Sequence, residues 1–192
     1  MIRIVSDSSA LYSKEDGQVK GISILPLIVT INGSTYNEYE DIKTKEFIDI
    51  INEGHIPVSS QPAIGEVLNV YNENEDCEII NISMADGLSG TYNSACVAKE
   101  MAENSKRIEV INSGTLCGPQ KYLVDLAVKL VELGKNKDEI VNEINKAKEE
   151  KGYKLSPVVG LYESPLYVYS YKIKSIDDLK AGEQICSSRW SN

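Results

Sequence analysis

The segment EIINISMADGLSGTYNSACVAKE, Glu78 to Glu100, holds three patterns in a row. Glu78 to Ile82 is short, apolar and β-branched, which is the composition of a buried strand. The stretch from Ser83 to Gly90 is crowded with small and turn-forming residues and reads as a loop. From Gly90 to Glu103 the apolar spacing becomes helical. The same order then repeats: Ile108 to Ile111 reads as a strand, and Pro119 to Leu133 as a helix stopped by Gly134. Strand, short loop and helix in repetition predict an α/β fold, a parallel sheet with helices on both faces.

Outward from this core the pattern continues. Asn136 and Glu139 have the spacing of a capping box for a further helix to Lys151, with Gly152 past its end. Upstream, Ile2 to Val5 is an apolar run, and Ile22 to Ile31 is a longer one closed by the turn pair Asn32-Gly33. Thr44 to Asn52 reads as a helix capped by Thr44, with Phe47, Ile48, Ile50 and Ile51 on its apolar side and Gly54 at its end. A second helix is expected from Ile64, carrying Val67, Leu68 and Tyr71. Its cap position, Ala63, has no side-chain oxygen, a deficit of roughly 1 kcal/mol against serine.

Residues 1–152 therefore read as one self-consistent unit. Beyond them the composition shifts to crowded tyrosines, Tyr153, Tyr162, Tyr167, Tyr169 and Tyr171. Leu166 to Tyr171 reads as a strand, and Ser175 as the cap of a brief helix through Leu179. One strand and one helical turn do not make a domain. Residues 153–192 are thus expected to be a loosely held tail, its apolar surface open to a partner, a second copy of the chain included.

The chain has 192 residues, of which 42% are hydrophobic and 26% charged, enough for one substantial core. A formal net charge of −9 argues against nucleic acid and anionic membrane surfaces as partners. The N-terminal apolar run is too short for a signal peptide, and no run is long enough to span a membrane. Cys77, Cys96, Cys117 and Cys186 show no C-x-x-C spacing, so reduced thiols in a cytoplasmic protein are expected rather than a disulfide framework or zinc site. No P-loop, dinucleotide fingerprint or metal spacing is present, and no cofactor is expected. The acidic group Glu38, Glu40 and Asp41 reads as a solvated loop.

In a parallel α/β sheet ligands bind beyond the carboxyl ends of the strands. The loops expected there are rich in small hydroxyl residues: Ser6-Asp7-Ser8-Ser9, Ser83 through Thr91, and Asn112-Ser113-Gly114-Thr115. Val58-Ser59-Ser60-Gln61-Pro62 forms a fourth, also leading into a helix. Helix N-termini offer free N–H groups and a positive dipole end, which suits a phosphate or carboxylate. Gly87 and Gly90 let the backbone approach an anion, and Ser89 adds a hydroxyl. The plainer role for Ser89 is a helix cap, and a single serine does not choose between the two. A nucleophilic role is the weaker alternative. GLSGT lacks the second glycine of G-x-S-x-G, and His55 precedes Ser89, the wrong order for an α/β-hydrolase. A Ser–Lys hydrolase of small esters stays open, as does an inactive remnant or interaction module.

At these loops the sequence resembles the DegV family, bacterial proteins that bind fatty acids and present them to a fatty-acid kinase. Ser6-Asp7-Ser8-Ser9-Ala10 is similar to the family's S-D-S-S-A, and Ser59-Ser60-Gln61-Pro62 to its T-S-Q-P. Gly87-Leu88-Ser89-Gly90-Thr91-Tyr92 with Ser94-Ala95 resembles its L-S-G-T-Y-x-S-A. The resemblance implies a lipid carrier rather than an enzyme, with the fatty-acid carboxylate held by Ser59 and Ser89. From the loops themselves, Ser60, Gly87, Gly90 and Thr91 are added as ligand-binding candidates, and Asp7, Ser8, Ser9 and Ser113 as candidates to line the site. It also implies an acyl tunnel between two domains, completed by a histidine from the second, for which His55 is not in a matching place. Asn112 stands where the family has aspartate, and Ala63 where it has serine. The likeness runs through the turn ending at Gly182 and then stops, so a truncated second domain and impaired binding are expected.

Overall fold

The structure is a computed structural model that describes residues 1–151 and the backbone of two later strands, 155–158 and 166–169. Its centre is a four-stranded, all-parallel sheet of β1 (Ile2–Asp7), β2 (Ile22–Leu25), β6 (Glu78–Ser83) and β7 (Ile108–Asn112), in the order β2-β1-β6-β7. Both faces are covered, and the strands are accordingly rich in Ile and Val, with Arg3, Ser23 and Glu109 only partly buried among them. On one face Ile4, Ile24, Ile80 and Ile82 pack against Leu123, Val124 and Ala127 of α5 (Cys117–Glu132) and Ile140 and Ile144 of α6 (Lys137–Lys151). On the other, Val5, Leu25, Ile79 and Ile108 pack against Val67 and Tyr71 of α3 (Ile64–Asn72) and Ala95 and Ala98 of α4 (Thr91–Met101). The expected α/β sandwich is present.

Asn81 is the buried exception on β6. Its side chain donates to the Tyr71 hydroxyl at 2.7 Å and accepts from Ser83 Oγ at 3.0 Å, so the polar group costs the core little. The capping box forms as read: Asn136 Oδ1 accepts from Glu139 N–H, and the Glu139 carboxylate accepts from Asn136 N–H, both at 3.0 Å.

Several boundaries differ from the sequence reading. The run Ile22–Ile31 is two strands in two sheets, broken at Pro26: β2 joins the main sheet, and β3 (Ile28–Ile31) turns away. Proline has no N–H for a ladder, and the chain changes direction there. β3 forms a hairpin with β4 (Ser34–Asn37) through Asn32 and Gly33, both at positive φ. Its other edge pairs antiparallel with β5 (Val58–Ser60), so Ser59 and Ser60 sit on a strand rather than a loop. A short helix α1 (Lys14–Val19), capped by Ser13, was not expected because it has no apolar face.

The helix α2 (Thr44–Asn52) has Lys43, not Thr44, at its cap position, and none of its residues is buried. Ala63 caps α3 without a side-chain bond, as anticipated. Beyond α6, β8 (Leu155–Val158) and β9 (Leu166–Tyr169) pair antiparallel. The expected helix at Ser175–Leu179 lies outside the described residues.

Candidate functional site

The order β2-β1-β6-β7 places the topological switch between β1 and β6, where connections leave in opposite directions. The carboxyl ends of these strands carry Asp7 and Met84. Asp7 is buried and accepts four hydrogen bonds: from Ser9 N–H at 3.1 Å, Ser9 Oγ, Met84 N–H at 2.8 Å and Gln120 Nε2 at 3.1 Å. Gln120, wholly buried on α5, also donates to Ser6 Oγ at 3.2 Å, and its Oε1 lies 2.6 Å from Ser9 Oγ, whose single proton it shares with Asp7. The crevice at the switch is therefore closed by the protein's own polar groups. Burial raises the Asp7 carboxyl above its ordinary value of 3.8, and the four hydrogen bonds offset this only in part.

An open depression of about 380 Å³ lies beside this network. Its walls are Leu27, Ser59, Ser60, Gln61, Met84, Leu88, Ser89 and Gly90. Two segments distant in sequence thus meet: the edge strand β5 and the loop that enters α4. Ser89 is half-buried there. Its Oγ lies 2.9 Å from Thr91 Oγ1 and accepts from Thr91 N–H at 3.3 Å, satisfying one orphan donor of the first turn. Ser89, one residue before the cap position Gly90, therefore both bonds the first turn and lines the depression. Leu27, Met84 and Leu88 supply apolar wall, and the α4 N-terminus supplies the positive end of a helix dipole.

The remaining candidates fall into two groups. Thr91 is buried directly behind Ser89, and Gly87 is exposed in the preceding turn, outside the lining. Asp7, Ser8, Ser9 and Ser113 are all buried and do not line the depression. They support it instead. Ser8 Oγ accepts from Leu27 N–H at 2.9 Å and donates to Glu38 at 2.5 Å, which fixes a wall residue. Ser113 Oγ accepts from Thr115 N–H and donates to Thr115 O, the carbonyl that also receives Ala85 N–H at 2.8 Å. Asn112 Oδ1 accepts from Gly114 N–H at 2.9 Å, a turn-closing role that needs only one side-chain oxygen.

Gly90 lines the depression, but the space on its Cβ side is taken: a Cβ there would lie 2.0 Å from Gln61 Oε1. Glu38, Glu40 and Asp41 lie on a turn where Glu40 and Asp41 are exposed, as the solvated-loop reading has it, and they accept from Ser8 Oγ, Lys14 N–H and Asn37 N–H respectively. Nothing in the sequence marks Gln120, and Gln61 shows there only as part of the Ser59-Ser60-Gln61-Pro62 motif, with no role of its own, because the partners of both lie far along the chain.

Among the described residues, no histidine or lysine lines the depression. His55 lies just past the end of α2, 4.0 Å from Glu53, and is not among the residues that line the depression. Among the described residues, no group of His, Cys, Asp and Glu has a metal-holding arrangement, and no helix is long and apolar enough to cross a membrane.

The family model of DegV, described as an uncharacterised protein family, matches residues 1–156. The chain belongs to the DegV family. A DegV domain-containing protein of Staphylococcus aureus is 38% identical over 159 residues, covering 82% of this chain and 56% of that protein. The chain thus spans about half the length of such DegV relatives. Among solved structures it is similar to DegV of Bacillus subtilis, described as a fatty acid binding protein. That match has 30% identity and a TM-score of 0.70, covering 77% of this chain and 54% of the other. The fold is shared more distantly with the fatty acid kinase B3 protein of Streptococcus pneumoniae, loaded with linoleic acid. Here identity is 20% and the TM-score 0.67, with 79% of this chain and 55% of that one covered.

Proposed function

We propose that this chain binds a long-chain fatty acid by its carboxylate and presents it to a fatty-acid kinase, as a cytoplasmic carrier rather than an enzyme. The observation that carries this reading is the shared depression, where Ser59 and Ser60 of β5 face Ser89 and Gly90 at the start of α4. Hydroxyl donors beside a helix N-terminus suit a carboxylate, while Leu27, Met84 and Leu88 suit the first methylenes of an acyl chain. The likeness to a fatty acid binding protein of Bacillus subtilis supports the ligand class, and the fold shared with a fatty acid kinase B3 protein supports the partner. Residues 1–152 are the carboxylate-binding unit in this reading, with Asp7, Ser8, Ser9 and Ser113 holding its walls in place. Residues 153–192 are the beginning of a second unit.

A pair of ligands tests the chemistry. In calorimetric titrations of the 192-residue chain, palmitate is expected to bind, and hexadecanol, equally long but without a carboxylate, at least tenfold more weakly. That factor corresponds to about 1.4 kcal/mol, the lower end for a hydrogen bond to a charged group. Equal affinity for the two would remove the carboxylate from the account.

A further inference from the structure

β5 is three residues long, all of them exposed, and it is the outer strand of the small sheet β4-β3-β5. Apolar burial therefore does not hold it against the α/β body. The next residue reaches across. Gln61 lays its carboxamide over Gly90, where a Cβ would lie 2.0 Å from Oε1 and 2.9 Å from Cδ. Its Nε2 donates to the hydroxyl of Ser94, which is buried in the first turn of α4. Gly90 and Ser94 are four residues apart and so share one helix face. One side chain thus spans that face from the cap position to the end of the first turn. Pro62, buried beside it, stiffens the exit of the strand.

We propose that Gln61 is a positioning residue, a latch that holds β5 to the α4 N-terminus so that Ser59 and Ser60 face Ser89. The latch itself rests only on the contacts above. Its effect on ligand binding rests on the fatty-acid reading. Gly90 is required because it makes room for the latch, and Ser94 because it terminates it. Gln61→Ala removes the carboxamide, and Gly90→Ala expels it by steric contact. The two substitutions therefore break one interaction by two routes and should not add.

The test measures hydrogen exchange of residues 58–60 and palmitate affinity in the 192-residue chain, its Gln61→Ala and Gly90→Ala variants, and the double variant. Each single variant is expected to speed exchange in β5 about tenfold and to weaken palmitate by a similar factor, as loss of one hydrogen bond and its packing implies. The double variant should match either single one, and the melting temperature should stay within a few degrees of the parent, about the effect of 1 kcal/mol. Should Gln61→Ala not fold, Gln61→Asn, one methylene too short to reach Ser94, carries the same comparison. Unchanged exchange in β5, or additive losses in the double variant, would overturn the latch. If the parent chain binds no palmitate, the fatty-acid reading fails, and the exchange measurement still decides the latch alone.

Discussion

Replacing Ser89 by alanine weakens palmitate binding by about ten- to a hundredfold. A hydroxyl donated to a carboxylate contributes on the order of 1.5–3 kcal/mol, twice or more a bond between neutral groups. Ser89 is placed to make one, half-buried on the wall of the depression opposite Ser59 and Ser60. Its loss also leaves the Thr91 N–H without the Ser89 hydroxyl, so the variant should be less stable by about 1 kcal/mol. Ser59→Ala is the cleaner companion. Ser59 is exposed on an edge strand, so stability should change by less than about 0.5 kcal/mol while affinity falls. Titration calorimetry together with thermal unfolding separates the two effects. An affinity unchanged in both variants would move the carboxylate elsewhere.

The second large effect is on stability. Asp7→Ala is expected to destabilise the fold by about 2–4 kcal/mol, because it strips the acceptor from two backbone N–H groups, a hydroxyl and an amide at one buried point. For a chain of this size that is a fall in melting temperature on the order of 10 °C. Asp7→Asn isolates the charge. The wild-type carboxyl is raised above 3.8 by burial, so ionising it costs the folded state more than the unfolded chain. Stability from this group is then fully present below about pH 3.8 and lost as pH rises through the raised value. The asparagine variant does not titrate. The advantage of wild type over Asp7→Asn should therefore be largest in acid and shrink as pH rises, measured as the difference in unfolding free energy. An advantage that widens with pH would show the opposite sign of shift.

The parallel sheet was legible because its strands are short Ile- and Val-rich segments set between helices, and the helices announce themselves by period and by caps such as Asn136 with Glu139. The small sheet was not. β5 has three exposed residues and no alternation to detect, and Ile22–Ile31 conceals two strands whose separation rests on one proline. Hydroxyl-rich loops are ambiguous for a physical reason. The same serine satisfies a ligand or an orphan backbone N–H, and Ser9 and Ser113 satisfy their own chain. The local pattern marks Ser89 and Ser59 as candidates among many hydroxyls, and only the family resemblance picks these two as the carboxylate ligands. Gln120 had no signal at all, since a glutamine on an amphipathic helix reads as solvated until its distant partners are known.

The most direct measurement follows the backbone amide resonances of the 192-residue chain during titration with palmitate. The account predicts that Ser89, Gly90 and Thr91 shift most among the amides, accompanied by Ser59 and Ser60 across the depression. The same titration with Ser89→Ala should need roughly ten times more ligand to reach half-saturation. The larger open hollow of about 550 Å³, lined by residues such as Asn72, Asn104 and Arg107, serves as the internal control and should stay silent. Shifts confined to that hollow, with Ser89–Thr91 unmoved at saturation, would contradict the assignment.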